Sequence, residues 1–393
     1  KKEHPSRYKE KLAKIDTPKE EGILIWLHAA SIGETLSVLP LIENLEQNKN
    51  IKKILITTIT LSSAELIKKK INKNTKIIHQ FLPLDIPKFV DKFLNHWSPN
   101  LAIFVDSEIW PNFIFKIKKR KIPLLLVNGR ITKKTFSKWK YLNNFAQNIF
   151  QKFDLCLVAN SETEKRLHSL GANNIKNFGN LKFTNKKINT NNQIDELFLE
   201  KLKNRKIWCA ASTHPTEEIF CAETHLDVKK SYKDVLTVII PRHVNRTKLI
   251  LKELSSLNLK VCLYSNIEQI KFDTDVLLVD AYGESLKFFN IAKCVFLGGS
   301  LIKHGGQNPV EASRLGCKIF HGPNVDNFNE IYKYLESLGA SKKINNYKEL
   351  VQSVVEEFKS NTNKNDSIKK DIEKYGDNIL NQVIEEIKKY INI

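Results

Sequence analysis

Short runs of Val, Ile and Leu alternate with amphipathic stretches along most of this chain, and this alternation limits the possible folds more than any other feature. Parallel strands read as continuous apolar runs because helices cover both faces of their sheet. The pattern therefore predicts a βαβ series. In the first half the predicted strands are 23–29, 53–58, 76–81, 101–106, 123–128 and 155–159, and the predicted helices are 35–47, 62–70, 110–119 and 137–150.

The series stops near the middle of the chain. Residues 184–204 are rich in Asn and Lys and have no strand pattern, so we interpret them as an interdomain linker. The predicted domains are 1–183 and 205–375, and a C-terminal helix at 376–393 is expected to pack back toward the first domain. The strands predicted for the second domain are 207–211, 235–240, 260–263, 276–279, 294–297 and 318–320, and residues 350–393 are predicted to be helical.

The predicted fold class is therefore α/β, with two Rossmann-like, doubly wound domains facing a central cleft. The second domain is interpreted as a nucleotide-binding half. Ligands of such folds lie beyond the carboxyl ends of the strands, so the loops at those ends are where chemistry is expected.

The charge balance of the chain points to an anionic partner. Lys and Arg together number 63 against 43 for Asp and Glu, which gives a net charge of +20. This surplus favours nucleic acid, an acidic membrane surface or a phosphorylated substrate. The longest apolar stretches, 122–127 and 235–240, are too short to span a bilayer. The six cysteines stand singly, which predicts reduced thiols of a cytosolic protein rather than disulfides or metal ligands.

Acidic residues follow two strands of the first domain. Glu34 lies where the first strand gives way to a helix, and it is either a first-turn acid that complements the helix dipole or a general base. The fourth strand ends in DSEIWPN at 106–112. Asp106 or Ser107 could cap the next helix. Glu108 lies beside the indole of Trp110, and this neighbour can shift the pKa of its carboxyl group. Spacing alone favours a surface role for Lys182.

Loops of the second domain carry hydroxyls, cations and glycines. Residues 211–215 (ASTHP) precede a helix, which suits either a phosphate or an ordinary cap followed by acids. Arg242 in PRH at 241–243 is suited to pairing with a phosphate or carboxylate. GGQNPVE at 305–311 supplies glycines for close backbone approach and an acid for ribose hydroxyls. The chain lacks GxxxxGK[ST], a well-placed GxGxxG and HExxH, and no DxD pair follows a strand, so a donor with a single phosphate fits.

Taken together, these segments resemble the Kdo (3-deoxy-D-manno-oct-2-ulosonic acid) transferases of lipopolysaccharide synthesis. The matching segments follow the family order over nearly the whole chain: HAASIGE at 28–34, DSEIWPN at 106–112, NGR at 128–130, GNLKF at 179–183, STH at 212–214, PRH at 241–243, YGE at 282–284, GGSL at 298–301, GGQNPVEA at 305–312 and HGPNVDNF at 321–328. The sequence departs from the family pattern at Asp106, Ser107, Ala281 and Gln307.

The resemblance implies a GT-B fold and transfer of Kdo from CMP-Kdo to the lipid A precursor (lipid IVA), with inversion and release of CMP. It implies no metal and no cofactor beyond the donor substrate. Its implied partners are the two substrates and the anionic surface of the inner membrane, not nucleic acid. An N-terminal anchor preceding Lys1 would hold the enzyme at the cytoplasmic face, and the basic charge would suit that surface.

The resemblance also assigns roles to individual residues. Glu34 matches the general base, and Glu108 and Lys182 match positions that support the transition state. The residues that match donor contacts are Ser212, Thr213, Pro241, Arg242, His243, Tyr282, Gly283, Glu284, Gly305, Gly306, Asn308, Pro309, Val310 and Glu311, with Glu311 on the ribose.

Two other readings stay open at this point. One is a different GT-B enzyme, either another nucleotide-sugar glycosyltransferase or an epimerase, although SIGE at 31–34 and SEIWPN at 107–112 argue against an epimerase. The other is a basic nucleic-acid-binding or membrane-binding protein without catalysis. That reading explains the charge but not the acids at strand ends.

Overall fold

The computed structural model describes residues 4–70, 75–184, 196–203, 205–360 and 366–391. The chain forms two compact units, an N-terminal unit of Lys1–Lys186 with Lys374–Ile393 and a C-terminal unit of Lys187–Glu373. Each unit contains one seven-stranded parallel sheet, which confirms the predicted class of two doubly wound α/β domains. Most of the predicted linker at 184–204 lies outside the described residues.

The sheet of the N-terminal unit has the strand order β3-β2-β1-β4-β5-β6-β7, and all its pairings are parallel. Its central strands are buried throughout, as the uninterrupted apolar runs predicted. The strands are β1 (Ile23–His28), β2 (Ile51–Thr58), β3 (Ile77–Phe81), β4 (Leu101–Val105), β5 (Leu124–Gly129), β6 (Leu155–Val158) and β7 (Ile175–Asn177).

Helices cover both faces of this sheet. The helices of the N-terminal unit are α1 (Ile32–Gln47), α2 (Leu61–Lys68), α3 (Pro87–Trp97), α4 (Pro111–Lys119), α5 (Lys133–Tyr141), α6 (Asn143–Phe150) and α7 (Ser161–Ser169). Proline stands in the first turn of α3 and of α4, where its missing N–H costs nothing. Trp26 lies at the centre of the core, with ring contacts to Phe93, Phe104 and Phe113.

The sheet of the C-terminal unit has the order β10-β11-β9-β8-β12-β13-β14 and is also parallel. Its strands are β8 (Lys206–Thr213), β9 (Val235–Pro241), β10 (Val261–Leu263), β11 (Val276–Leu278), β12 (Cys294–Leu297), β13 (Lys318–His321) and β14 (Ser341–Lys343). The remaining helices are α8 (Glu196–Leu202), α9 (Glu217–Ser231), α10 (Thr247–Ser256), α11 (Ser285–Ile291), α12 (Val310–Arg314), α13 (Asn329–Ser337), α14 (Tyr347–Lys359) and α15 (Asp366–Lys388).

Some elements differ from the sequence prediction. The helix predicted at 137–150 is two helices, α5 and α6, separated at Leu142, and Asn143 has a positive φ of 29°. The short edge strands β7 and β14 were not predicted. All six cysteines are free and buried, as expected. Within the part of the chain that the structure describes, no helix is long and apolar enough to span a bilayer.

The end of the chain packs on the N-terminal unit, which includes Lys374–Ile393. The rings of Tyr375 and Phe183 meet edge to face at 5.1 Å between centroids. Gly179 has a φ of 102°, and a Cβ there would lie 2.9 Å from the Tyr375 hydroxyl oxygen. Gly376 faces the Phe183 carbonyl, which an added Cβ would approach to 2.2 Å. Glycine is therefore required on both sides of this contact.

A buried polar network lies at the amino ends of β9 and β11, away from the loops where ligands are expected. Asp275 accepts hydrogen bonds from the Lys229 ammonium and from the Lys260 N–H, and His225 Nε2 lies 3.2 Å from its Oδ1. His225 Nδ1 lies 2.8 Å from Thr237 Oγ1. Burial alone would raise the pKa of Asp275, but these hydrogen bonds outweigh it and hold the pKa below the ordinary 3.8.

We predict that Asp275→Asn lowers the free energy of unfolding of the C-terminal unit by about 2–3 kcal/mol. The substitution removes the negative charge that faces the side chains of Lys229 and His225. Urea denaturation followed by circular dichroism measures the change. Since the pKa of Asp275 is lowered in the folded state, its contribution is present above 3.8 and is lost as the pH falls below that value.

The matched control is Asp273→Asn, at a position two residues before Asp275. It removes an exposed carboxylate that pairs with the exposed Lys260 side chain. Surface ion pairs contribute little, so this variant should unfold like the parent. An equal loss of stability in the two variants would contradict the role given to Asp275.

Candidate active site

Each sheet has one point where its connections run in opposite directions, and a crevice opens there at the carboxyl ends of the strands. In the N-terminal unit this point lies between β1 and β4, and in the C-terminal unit between β8 and β12. Glu34 follows β1 and Glu108 follows β4, whereas Ser212 and Thr213 end β8 and the predicted residues at 305–311 follow β12.

Glu34 lies in the first turn of α1 and takes part in its cap. The Ser31 hydroxyl donates to one carboxylate oxygen at 2.7 Å, and the Ala30 N–H donates to the other at 2.8 Å. Ser31 in turn accepts from the Glu34 N–H. These reciprocal bonds resemble a capping box, so Glu34 fits the predicted first-turn acid. They also hold the carboxylate in one orientation beside the switch point.

The electrostatic surroundings of Glu34 favour its neutral form. Burial raises the pKa of its carboxyl above the ordinary 4.5, and the negative charges of Glu108 and Asp106 raise it further. The hydrogen bonds from Ser31 and Ala30 offset part of this rise. A carboxyl whose pKa moves toward neutrality is better suited to accept a proton in catalysis.

Glu108 is fixed by two aromatic side chains. The Trp110 indole N–H donates to its Oε2 at 2.8 Å, and His28 Nε2 lies 3.2 Å from the same oxygen. The His28 side chain is fully buried at the end of β1, where its Nδ1 lies 3.0 Å from Thr57 Oγ1. The predicted pairing of Glu108 with Trp110 is therefore present, and His28 is an additional contact that sequence reasoning missed.

Lys182 lies close to the acids at the carboxyl end of β4. Arg130 and Lys182 both lower the pKa of Asp106, although burial of this carboxyl has the larger, opposite effect. Lys182 reaches this place because Asn128, at the end of β5, accepts the Leu181 N–H at 2.9 Å. Lys182 is half-buried, and its role in the reaction stays a prediction.

The helix after the β4 loop is capped from elsewhere. Neither Asp106 nor Ser107 caps α4, because its N-cap residue is Trp110. Instead the Asp85 carboxylate accepts the N–H groups of Asn112 and Phe113 at 3.1 and 3.0 Å. Asp106 adopts a positive φ of 61°, which turns the chain so that Glu108 faces His28. Asp106 and Glu108 therefore do not cap α4, and both lie at the β1/β4 switch point.

The N-terminal unit therefore combines a proton acceptor with fixed charges of both signs. Glu34 and Glu108 follow neighbouring strands, and Arg130 and Lys182 partly balance the acids. Such a group can take a proton from a hydroxyl and stabilise charge that develops next to it.

The second loop set contains a carboxylate that is bound entirely by backbone. Glu217 begins α9 and is fully buried. Its Oε2 accepts the N–H groups of His214 and Gly299 at 2.9 and 2.7 Å, and its Oε1 accepts those of Ser300 and Leu301 at 3.1 and 3.0 Å. Of residues 211–215, only the His214 amide is taken up by Glu217. The N-cap of α9 is Thr216 and not Ser212 or Thr213.

Gly305 and Gly306 pack closely against residues 324–327 of the same chain. A Cβ at Gly305 would lie 2.3 Å from Asn327 Nδ2, and one at Gly306 would lie 3.1 Å from Val325 Cα. Both have positive φ, and the Gly306 N–H donates to the Gly299 carbonyl at 2.8 Å. These glycines join the loop after β12 to residues 324–327, so the close backbone approach predicted from the sequence occurs within the protein.

The other predicted donor residues line the same edge of the sheet. Arg242, His243, Tyr282 and Glu311 are exposed, and the Arg242 N–H donates to the Thr213 carbonyl at 2.9 Å. The residues that are buried or half-buried are Ser212, Thr213, Pro241, Glu284, Gly305, Gly306, Asn308, Pro309 and Val310, whereas Gly283 is exposed with a φ of 85°.

Glu284 contacts side chains of its own neighbourhood. It pairs with Lys287 at 2.6 Å and accepts the Tyr264 hydroxyl at 3.0 Å. Its loop follows β11, which is two strands away from β8 in the sheet. The structure thus brings the residues after β8, β9 and β12 together more closely than those after β11.

Sequence reasoning missed three contributors to these loops. His28, His214 and His304 stand inside the motifs quoted above or next to them, and only their position at strand ends signalled a role. Among the described residues no group of three or more His, Cys, Asp or Glu side chains is placed to hold a metal ion.

Comparisons with known proteins identify the family of the chain. Residues 6–185 match the family model described as 3-deoxy-D-manno-octulosonic-acid transferase (kdotransferase). The enzyme of that name from Rickettsia bellii is 35% identical over 350 residues, covering 89% of this chain and 83% of the relative. The enzyme of the same name from Haemophilus influenzae is 30% identical and also covers 89% and 83%.

Solved structures support the fold. A UDP-N-acetylglucosamine 2-epimerase from Listeria monocytogenes, described as putative in its own report, superposes with a TM-score of 0.65 over 95% of this chain and 97% of that one, at 14% identity. The epimerase from Neisseria meningitidis gives 0.59 over 94% and 100%, at 13% identity. At such low identity these likenesses show the GT-B fold alone. The identity to the transferases over most of both chains shows more: the chain is a glycosyltransferase and belongs to the 3-deoxy-D-manno-octulosonic acid transferase family.

Proposed function

We propose that this transferase moves Kdo from CMP-Kdo to a hydroxyl of the lipid A precursor lipid IVA, with inversion at the anomeric carbon and release of CMP. The observation that carries the proposal is the group of Glu34, Glu108, Asp106 and Lys182 at the β1/β4 switch point. No metal and no cofactor other than the donor substrate takes part in the proposed reaction.

The proposed reaction is a single displacement. Glu34 accepts the proton of the acceptor hydroxyl, whose oxygen bonds to the anomeric carbon while the bond from that carbon to the phosphate oxygen breaks. The electron pair leaves with CMP. Attack and departure lie on opposite sides of the carbon, so the configuration inverts. Burial and the nearby acids raise the pKa of Glu34, which supports its use as the base.

Glu108 and Lys182 are proposed to stabilise the transition state. Positive charge builds on the anomeric carbon as the bond to CMP breaks, and negative charge moves to the phosphate. Glu108 is held in place by Trp110 and His28, and Lys182 is positioned through Leu181 and Asn128. Fixed charges of this kind act without the cost of reorienting solvent during the reaction.

The donor nucleotide is proposed to bind the C-terminal unit. Its switch point lies between β8 and β12, where Ser212, Thr213 and the 305–311 segment stand. Pro241, Arg242 and His243 follow the neighbouring β9, with Arg242 exposed and suited to a phosphate. Glu311 is proposed to accept hydrogen bonds from the ribose.

The acceptor lipid requires contact with a membrane, and α5 with the start of α6 is proposed to provide it. Four lysines and no acid occur in α5, and none of its residues is buried. Tyr141 is 90% exposed, and Leu142 and Phe145 are 46% and 44% exposed. Lysines beside exposed aromatic residues favour an anionic lipid surface. We propose that this surface meets the cytoplasmic face of the inner membrane.

We predict that Glu34→Gln lowers the rate of CMP release by about 100-fold or more and leaves CMP affinity within about two-fold of the parent. The amide keeps one oxygen to accept the Ala30 N–H, and its NH2 group can donate to the Ser31 hydroxyl, but it cannot take the proton. The measurement is CMP release from CMP-Kdo with lipid IVA present, with calorimetry for CMP binding. The control is Glu43→Gln, at a half-buried acid of the same helix that pairs with Lys70. If Glu34→Gln releases CMP as fast as this control, Glu34 has no part in the mechanism.

We predict that Glu311→Ala weakens CMP binding by about 10-fold or more, because a charge-assisted hydrogen bond to the ribose is lost. Calorimetry should show a much smaller penalty with 2′,3′-dideoxy-CMP, since that ligand lacks the hydroxyls in question. Glu268→Ala, at an exposed position of the same unit, serves as the control. The same penalty with both ligands would be incompatible with the ribose role.

We predict that replacing Lys133, Lys138 and Lys140 by Gln weakens binding to vesicles of anionic phospholipid by about 100-fold, at about 1 kcal/mol per lysine. Co-sedimentation measures binding, and zwitterionic vesicles give the baseline. The control replaces the exposed Lys369, Lys370 and Lys374 of α15 and removes the same charge. Equal losses for the two triple variants would mean that net charge alone attracts the protein.

A further inference from the structure

Three histidines from three loops meet at the β8/β12 switch point of the C-terminal unit. The ring centroid of His214, which follows β8, lies 4.4 Å from that of His304, which follows β12. It lies 5.9 Å from the ring of His243, which follows β9. His214 and His304 were not among the predicted donor residues, and Glu217 occupies the backbone amides of the same loops.

Two buried polar atoms in this cluster have no hydrogen-bond partner among the described residues: His214 Nε2 and Thr213 Oγ1. His214 is 5% exposed and Thr213 is fully buried. Buried polar atoms are almost always hydrogen-bonded, so two orphans in consecutive residues point to a ligand. Gly299 keeps the space beside Nε2 free of a side chain, because a Cβ there would lie 3.3 Å from that nitrogen.

The charges that face His214 are nearly all positive. Arg242 and His243 follow β9, and His304 follows β12. Arg246 also contributes, although it pairs with Glu218 at 2.7 Å. Burial lowers the pKa of His214 to about 4, and the charges of His304, His243, Arg242 and Arg246 contribute to this shift. The carboxylate of Glu217 is taken up by four N–H groups.

We propose that His214 and His304 bind the phosphodiester oxyanion of the sugar-nucleotide donor and that His214 takes up a proton from solvent as the oxyanion binds. The inference rests on the proposed donor site and adds two residues and a pH dependence to it. A bound oxyanion accepts a hydrogen bond from Nε2–H, and its negative charge offsets the positive charges of Arg242 and Arg246. The protonated ring is therefore more stable in the complex than in the free protein.

The direction of the pH dependence follows from this linkage. The complex holds more protons than the free protein, so affinity for the oxyanion rises as the pH falls. In the free protein His214 is neutral above about pH 4, so the proton must be gained on binding. Donor binding would thus respond to pH within the range where histidines usually titrate.

The test is calorimetry of the full chain with the methyl ester of CMP, whose phosphodiester keeps one negative charge, between about pH 6 and about pH 8. Two buffers with different ionisation enthalpies report proton uptake. We expect binding to be about five-fold or more tighter at the lower pH, with about 0.3–1 proton taken up per ligand. Cytidine, which has no phosphate, should bind without a pH dependence.

His304→Gln and His214→Gln test the two residues. Glutamine retains a polar group but cannot be protonated, so His214→Gln should lose most of the pH dependence and the proton uptake. His304→Gln keeps the proton uptake at His214 but should bind the oxyanion more weakly, because one of its two ligands is lost. His304 is exposed, so its variant stays informative even where the buried His214 variant fails to fold. His168→Gln, on the exposed side of α7, should behave like the parent.

Affinity that is independent of pH in the parent overturns the inference and leaves the proposed donor site standing. A pH dependence that persists in His214→Gln, or an affinity for the methyl ester that is unchanged in His304→Gln, also overturns it. Failure of the methyl ester to bind at any pH instead contradicts the proposed donor site. In that case sulfate, whose charge is constant over this pH range, tests the oxyanion site directly. Proton uptake on sulfate binding that depends on the histidines supports the inference, and absence of that uptake overturns the inference.

Discussion

Both halves of this transferase depend on one constraint of parallel sheets, which is that all strands end at the same edge. Where successive connections diverge, two neighbouring loops are left without a helix between them. In the N-terminal unit these loops present Glu34 and Glu108, and in the C-terminal unit they present His214 and Gly299. Chemistry that needs several groups at one point can be assembled from residues far apart in the chain only because of this geometry.

Burial decides how much of the fold is predictable from sequence. Central strands such as β4 and β12 are buried on both faces, so their apolar runs can be read directly. The edge strands β7 and β14 read IKN and SKK, and pairing with a neighbour, not an apolar pattern, makes them strands. The break between α5 and α6 is marked by neither Gly nor Pro, so periodicity alone continues through it.

The acidic residues of the candidate site could be predicted from the sequence, but the contacts that position its side chains could not. Position at strand ends and the family motifs identify Glu34 and Glu108, but no local signal places Lys182 near Asp106, because that depends on the bond between Asn128 and Leu181. Glu217 illustrates the opposite case. A sequence that suits phosphate binding equally suits an internal carboxylate, and only the three-dimensional structure shows that Glu217 accepts those N–H groups.

The packing of the chain's end on the GNLKF motif has a consequence for biosynthesis. The segment Lys374–Ile393 completes the N-terminal unit, and its Tyr375 and Gly376 contact Phe183, the neighbour of Lys182. During translation the C-terminal unit emerges from the ribosome before that segment does. The nascent N-terminal unit therefore lacks part of its packing until this segment has been made, and Phe183 gains its contact with Tyr375 only then.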